Sequence, residues 1–330
     1  MSPKPFQRID DPAALPARLR GGVAAIGNFD GVHRGHRAVL ERARALADGM
    51  GAPALALTFE PHPRSVFRPE APVFRLTPAP LKADLISRAG FDAVVEQAFT
   101  RGFAGLTAEE FVGRVLTGGL GIAHAVTGFD FHFGKDRQGG PAYLMEAGLR
   151  HGFGVTLVDA LRDEGAEVVS SSRIRALLEE GAVAEAAGLL GYRFTVEAVI
   201  VGGKQLGRTL GYPTANMALP PETGLRYGIY AVRLRRSDGS LHDGVASFGR
   251  RPTVDADGAP LLETFVFDFS GDLYGETCRV SLFGFLRGEE KFDGLDALVA
   301  QMQRDEAEAR ALLAGVRPLS AVDAGLCFSG

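Results

Sequence analysis

The sequence predicts two domains of different class: an α/β domain on a parallel sheet, then a mainly-β antiparallel barrel with a closing helix. Three observations predict it. The chain has 330 residues, 46% of them hydrophobic and 23% charged, which supports a substantial core but exceeds the usual size of one domain. From Val23 to about Gly191 short apolar runs alternate with helical stretches, whereas from about Tyr192 apolar residues recur at every second position. No internal repeat or low-complexity tract competes with a boundary near residue 188, so the domains are expected at 1–187 and 188–330.

Taken in order, VAAIG, HRAVLERARALADGMG, PALALTF, LKADLISRAG and DAVVEQAF read as strand, helix, strand, helix, strand. That is the pattern of βαβ units, hence of a parallel sheet with helices on its faces. Thr107, followed by Ala-Glu-Glu, is a helix start in which a threonine N-cap satisfies free amides of the first turn. Further strands are expected at HAVTGF and GVTLVDA, and a helical pair from SSSRIRALLEEG to AVAEAAGLLG. Beyond Tyr192, FTVEAVIVGG, GIYAVRLRRS, HDGVASFG, ETFVFDF and CRVSLFGFL follow one another without helices, separated by glycine, proline and aspartate turns, as in an antiparallel barrel. One helix closes the chain, with Leu295, Leu298, Val299, Met302, Ala309, Leu312 and Leu313 on one stripe.

A net charge of -4 and a pI near 6.0 weigh against a general nucleic-acid or anionic-membrane binder, which normally carries a basic excess. Phosphate ligands must then be held by local basic residues and backbone amides. The N-terminal stretch has no apolar signal region and no segment approaches the roughly 18 to 20 apolar residues of a membrane span, so a cytoplasmic protein is expected. Cys278 and Cys327 lack metal-ligand spacing and are too few for a disulfide framework, which fits a reducing compartment.

The first strand runs through Gly27-Asn28-Phe-Asp30-Gly-Val-His33-Arg-Gly-His36 directly into a helix. Glycines let backbone amides approach a ligand, and a helix N-terminus offers free donors and partial positive charge to phosphate. In an open parallel sheet such a turn lies at the carboxyl ends of the strands, where ligands bind. His33 and His36, three residues apart, can aim both imidazoles into one crevice; taken alone, the pair fits two solvent-facing histidines equally well. Ser170-Ser171-Ser172-Arg173-Ile174-Arg175 places hydroxyls and arginines at another helix start, either an anion site or an ordinary cap with surface arginines. The loop Gly128-Phe-Asp130-Phe-His-Phe-Gly134-Lys-Asp-Arg137-Gln-Gly139 has the glycine and basic content to close over a nucleotide, or is a plain strand-to-loop turn.

In the second half, Gly203-Lys204-Gln-Leu-Gly207-Arg-Thr-Leu-Gly211-Tyr-Pro-Thr214-Ala-Asn216 lacks P-loop spacing. Its hydroxyl and amide two residues apart can share one side of an extended segment and bind a cation with its phosphate ligands. In Leu262-Glu263-Thr-Phe265-Val-Phe267-Asp-Phe269, alternation puts Glu263 on a face with three phenylalanines, so the carboxylate is either at a solvated strand end or kept as a general base. Asp268 falls on the opposite face.

GNFDGVHRGH, GFDFHFGKDRQGG and SSSRIR, in that order, resemble the HxGH nucleotidylyltransferase half of the prokaryotic bifunctional riboflavin kinase/FAD synthetases. GKQLGRTLGYPTAN, GIYAV, FGRRPTV, LETFVFDFSGDLYGE and LRGEEKFDGLDAL resemble the kinase half along nearly its whole length. The resemblance implies a Rossmann-like first domain that adenylylates FMN to FAD and a second that phosphorylates riboflavin to FMN, with magnesium carried by ATP. It implies that His33 and His36 hold the ATP phosphates, that Ser171, Ser172 and Arg175 clamp the triphosphate, and that Asn28, Asp30 and Asp130 border the nucleotide. Where the family reads threonine this chain has Ser172, and the hydroxyl survives. In the kinase half it implies Thr214 and Asn216 as ligands of the magnesium-nucleotide and Gly203, Lys204 and Gly211 in the loop around ATP. Glu263 is then the base for the ribityl 5'-hydroxyl, and Arg287 flanks the flavin. The glycine-rich stretches 202–211 and 249–258 are expected lids over that site. The rival readings are a chain with one working half and a flavin- or nucleotide-binding regulator; mere binding requires no base, which weighs against the regulator. A monomer or weak homo-oligomer without nucleic-acid or membrane partners is expected.

Overall fold

The structure, a computed structural model, describes residues 5–202, 212–250 and 259–329. The chain divides into two compact units, Met1–Ser170 and Ser171–Gly330. The first contains β1 (Gln7–Ile9), two short 3-10 turns, β2 (Val23–Ile26), α1 (Arg34–Met50), β3 (Ala54–Glu60), α2 (Pro63–Phe67), α3 (Ala79–Arg88) and β4 (Ala93–Ala98). It continues with α4 (Arg101–Ala104), α5 (Ala108–Glu110) running on into a π-helical stretch Phe111–Leu120, β5 (His124–Gly128), α6 (Pro141–His151) and β6 (Gly154–Val158).

All six strands are parallel, in the order β1-β4-β3-β2-β5-β6. Every residue of β2 and six of the seven of β3 are buried, because a parallel sheet covered on both faces takes continuous apolar runs rather than alternation. The predicted α/β domain is therefore present, with β1 as an added edge strand too short to show a period. From β2 the chain winds one way through β3 and β4, then returns to place β5 on the other side of β2. The loops after β2 and β5 diverge there, which opens the crevice where such sheets bind ligands. Helix α1 turns Val39, Leu40, Ala43 and Ala47 inward and ends at Gly51 in the left-handed region (φ 63°). Thr107 forms the expected cap, reciprocated by the Glu110 carboxylate on the Thr107 amide.

The second unit holds α7 (Ser171–Glu180), α8 (Val183–Leu190), β7 (Thr195–Val201), β8 (Thr214–Ala218), β9 (Gly228–Arg235) and β10 (Leu241–Gly249). It ends with β11 (Leu261–Val266), β12 (Thr277–Arg287), α9 (Leu295–Gly315) and α10 (Ala321–Cys327). The strands close an antiparallel barrel in the order β10-β11-β8-β7-β12-β9. Leu262, Thr264, Ala246, Phe248, Met217 and Ala215 fill its interior. The helix pair α7–α8, which the sequence pattern groups with the first domain, packs on the barrel: α8 lies on β12, and the Arg226 amide and guanidinium donate to the carbonyls of Leu178 and Glu180.

Three details depart from the sequence reading. TANMA is a full strand, β8. Two helices rather than one close the chain, because α10 follows α9. The α9 stripe buries Ala309 and Leu313 but also Asp305, while Leu295 at its start is exposed.

Candidate active sites

In the first unit the turn between β2 and α1 is tightly wound: Phe29 (φ 49°), Gly31 (φ 93°) and Val32 (φ 36°) all have left-handed backbone. His33 is the N-cap of α1, and its Nδ1 accepts from the His36 amide at 3.3 Å. That acceptor role puts the proton of a neutral His33 on Nε2. The His33 and His36 rings stack, with centroids 3.7 Å apart and planes 17° from parallel. A side chain on Gly35 would come within 3.2 Å of the His33 ring and 3.3 Å of the Val169 carbonyl, so glycine keeps this approach open. The pair is thus not two solvent-facing rings: His33 is 5% exposed, and His36 Nδ1 is sequestered without a hydrogen-bond partner. Burial, then the neighbouring His33 and Lys82, hold the His36 pKa well below its ordinary 6.5, so its imidazole is neutral at physiological pH.

Beneath the turn lies a buried network absent from the sequence reading. Lys82, on the inner face of α3 and 0% exposed, directs Nζ to Glu60 Oε1 (2.6 Å), Thr58 Oγ1 (2.8 Å) and the Asn28 carbonyl (3.2 Å). Three acceptors match the three N–H donors of an ammonium. Arg75 binds both oxygens of Glu60 at 2.8 Å, and its Nε lies 3.5 Å from Asp30 Oδ1. Burial raises the Glu60 pKa, but the Arg75 hydrogen bond and the Lys82 charge outweigh it and bring it to about 2. Asp30, 2% exposed, is turned into this support: its Oδ1 accepts from the Thr77 amide at 3.0 Å. Thr77 Oγ1 in turn accepts from the Gly31 amide at 2.8 Å. Asn28 has its carbonyl in the network and is itself exposed.

Asp130 is exposed just past the end of β5, where its carbonyl accepts from His132 Nδ1 at 2.7 Å. The loop after it is pinned at Gly134 (φ 74°), where a side chain would meet the Ala108 amide nitrogen at 2.7 Å. Ser171 and Ser172 open α7 at the start of the second unit and Arg175 is its fifth residue, with Ile174 and Leu178 as its buried face.

In the barrel, strand register brings the predicted residues into one row. Asn216 on β8 is directly opposite Glu263 on β11; Glu263 faces Ser247 on β10, Ser247 faces Ile229 on β9, and Ile229 faces Arg287 on β12. Paired residues share a face, and the neighbouring interior positions make this the outward one. Asn216 is nevertheless 3% exposed; its Nδ2 donates to the Thr214 carbonyl at 3.2 Å, while Oδ1 is sequestered without a partner. Thr214 is opposite Phe265, so it lies on the same face. Arg287 stands three strands from Glu263 in either direction round the closed barrel, on the opposite wall. Its guanidinium is fixed on Asp305 of α9 by bonds of 2.8 and 2.7 Å.

The expected face of three phenylalanines is formed only in part. Phe265 and Phe267 do meet edge to face, with centroids 5.8 Å apart and Arg310 of α9 covering Phe267, but the strand ends at Val266 and the bend at Asp268 (φ 54°) carries Phe269 away to His242. Asp268 is exposed and bound by Arg310 at 2.8 and 3.1 Å. Gly203, Lys204 and Gly211, and most of both expected lids, lie outside the described residues.

A tight turn into a helix at the crevice of a parallel sheet, joined to a barrel with a carboxylate beside a buried amide, defines a two-domain transferase that acts on phosphate groups. Comparison with known proteins makes the class specific. The FAD synthetase family model matches residues 15–173 and the riboflavin kinase model residues 190–313. A bifunctional riboflavin kinase/FMN adenylyltransferase from Pseudomonas fluorescens is 42% identical over 89% of this chain and 94% of its own. The Escherichia coli K12 protein of the same description is 37% identical over 92% and 96%. A solved structure described as a macrolide-efflux protein from Streptococcus pneumoniae superposes with a TM-score of 0.81 at 30% identity, over 92% of this chain and 98% of that one.

The chain belongs to the bifunctional riboflavin kinase/FMN adenylyltransferase family. Its C-terminal domain converts riboflavin and ATP to FMN and ADP, and its N-terminal domain converts FMN and ATP to FAD and diphosphate. Among the described residues no helix is long and apolar enough to cross a membrane.

Proposed function

We propose that the two reactions are carried out by separate residue sets, Glu263 with Thr214 and Asn216 for phosphorylation, and His33 and His36 with Asn28, Asp130, Ser171, Ser172 and Arg175 for adenylylation. The observation that carries the kinase reading is the register that sets Glu263 against Asn216. In that reaction the ribityl 5'-hydroxyl attacks the γ-phosphorus, Glu263 accepts the hydroxyl proton, and the bond to the ADP oxygen breaks. Arg287, anchored by Asp305, borders the flavin, and Gly203, Lys204 and Gly211 belong to the loop around ATP. The buried, unpartnered Asn216 Oδ1 with the Thr214 hydroxyl on its face is a hard-oxygen pair suited to magnesium, which otherwise retains phosphate and water ligands. When bound with ATP, magnesium neutralises charge on the phosphates.

In adenylylation an FMN phosphate oxygen attacks the α-phosphorus and diphosphate leaves, so the protein need only position the groups and stabilise charge. His36, neutral and stacked on His33, is poised to donate a hydrogen bond rather than a fixed charge to the triphosphate, while Arg175 supplies charge. Asp30 acts in this reading by shaping the turn. The adenylyltransferase is assigned residues 1–187 and the kinase 188–330, a boundary inside the segment between the two family matches, although α7 and α8 pack with the barrel as part of the second compact unit. Cytoplasmic work is in keeping with two free, buried thiols, and the protein is read as a monomer or weak homo-oligomer.

Product analysis with riboflavin, FMN, ATP and magnesium tests the division. Glu263→Ala is expected to lower FMN formation by about 10²- to 10⁴-fold while FAD formation from supplied FMN continues. His36→Ala is expected to do the reverse, by about 10²-fold or more. Loss of both reactions in either folded variant would falsify the assignment of separate sites.

A further inference from the structure

We propose that Lys82 is a positioning residue for adenylyl transfer, fixing the course of the phosphate-binding turn through the Asn28 carbonyl from within a charge-balanced tetrad of the buried Asp30 and Lys82 and the half-buried Glu60 and Arg75. The inference rests on the reading that this turn holds ATP.

The turn needs such a device. Phe29 and Val32 have φ of 49° and 36°, conformations that L-residues avoid and that a β-branched valine tolerates least. A strained backbone persists only where its surroundings over-determine it. Here the anchors alternate along the turn: the Asn28 carbonyl accepts from Lys82 Nζ (3.2 Å) and Thr58 Oγ1 (3.0 Å), Asp30 Oδ1 accepts from the Thr77 amide (3.0 Å), and the Gly31 amide donates to Thr77 Oγ1 (2.8 Å). These groups lie on β3, α3 and the segment before α3, so the turn is fixed from elements outside itself.

The two cations and two carboxylates balance. Lys82 bonds Glu60, Arg75 bonds Glu60 in bidentate fashion, and Arg75 faces Asp30. With Lys82 and Asp30 buried, the group is costly to break at those two members singly. Lys82 differs from the other members in that it also touches the turn's backbone directly, so its removal has two separable effects: Glu60 loses one of its two cations, and the Asn28 carbonyl keeps Thr58 Oγ1 as its one side-chain donor.

Three variants separate those effects, assayed in the full chain, with riboflavin phosphorylation by the same molecule reporting that the protein is folded. Lys82→Met is expected to lower kcat for FAD formation by about 10- to 100-fold and to lower the unfolding temperature of the first unit, with FMN formation within twofold of the parent. In Glu60→Gln/Lys82→Met both partner charges are absent; the unfolding temperature is expected to recover much of its loss while kcat does not. Thr58→Val, which takes away the other donor to the Asn28 carbonyl and one acceptor of Lys82 but leaves the Lys82–Glu60 ion pair in place, is expected to lower kcat in the same direction with a smaller change in unfolding temperature. If the double variant regained kcat together with stability, or if Thr58→Val left kcat within twofold, Lys82 would be a stability residue and the proposal would be overturned. His36→Ala is assayed in parallel. Should it leave FAD formation intact, the turn is not the ATP site; should it abolish FAD formation while Lys82→Met does not, only the role of Lys82 fails.

Discussion

Asn216 shows how one side chain separates ligand binding from folding. A buried acceptor without a partner costs about 1–3 kcal/mol, and Asn216 Oδ1 is such an atom, kept beside a carboxylate on the same strand face. Asn216→Ala removes that cost together with the Nδ2 bond to the Thr214 carbonyl, so the barrel's stability is expected to change by less than about 1 kcal/mol. The KM for magnesium-ATP in riboflavin phosphorylation is expected to rise at least tenfold, with FAD formation from FMN unchanged. A large stability loss with an unchanged KM would assign Asn216 to the fold. Residues of this kind were legible in the sequence because they sit in short motifs: His33 with His36, Thr214 with Asn216, and Glu263 in an alternating strand. Lys82 was not, because LKADLISRAG reads as an ordinary amphipathic helix, and only the tertiary fold shows that its lysine points inward to Glu60. Asp30 was legible as part of the motif but not in its orientation, which Thr77 and Arg75 determine from 47 and 45 positions further along the chain.

At the scale of elements, α10 was invisible for a related reason. Its seven residues, AVDAGLC, carry no apolar stripe and are too few to hold a helix alone. The fold holds it by docking. Asp323, fully buried, accepts from the Arg193 amide (2.9 Å), the Arg193 guanidinium and the Leu319 amide (2.9 Å). At the other end Arg233 and Arg235 of β9 donate to the carbonyls of Cys327, Leu326 and Gly325, placing cations where the helix dipole favours them. Arg193 itself lies between the rings of Phe283 and Phe328. Asp323→Ala leaves that guanidinium buried and unpaired, so a loss of about 3–5 kcal/mol is expected in the denaturant unfolding of the barrel. A loss under about 1 kcal/mol would show that the pair is solvated and that α10 is held by its apolar contacts alone. The parallel sheet and the barrel, by contrast, were legible because their periodicities differ along long stretches. Only short pieces escaped: β1, with three residues, and β8, whose five residues follow directly on a glycine-rich loop.

For the whole molecule, the two units are expected to fail at opposite ends of the pH scale. Among the described residues the carboxyls held down to about 2 are Glu60 and Glu109, both in the first unit; Asp238, Asp268 and Glu276 of the second unit are lowered too, by surface partners. Glu109 is exposed, so Glu60 is the member that matters. Its ordinary value is 4.5, so the stability it contributes is fully present above 4.5 and is lost as pH falls toward 2. His36 acts in the same direction: below 6.5 the unfolded chain takes up a proton that the folded imidazole resists, and folding weakens as pH falls. The second unit holds both cysteines, whose thiols burial pushes from 9.0 up to about 11 at Cys278 and about 12 at Cys327. There the unfolded state releases protons first, so stability falls as pH rises above 9. The chain contains no tryptophan, so calorimetry or circular dichroism must follow unfolding. After brief exposure to about pH 4 and return to neutrality, FAD formation from FMN is expected to be lost more than riboflavin phosphorylation. After exposure to about pH 10.5, the order is expected to reverse. Glu60→Gln provides the control, since its side chain does not titrate: the acid sensitivity of FAD formation should flatten between pH 4.5 and 2, while the alkaline loss of kinase activity stays as it was. If the same unit fails first at both extremes, the buried carboxylate and thiols do not govern the pH limits of the two halves.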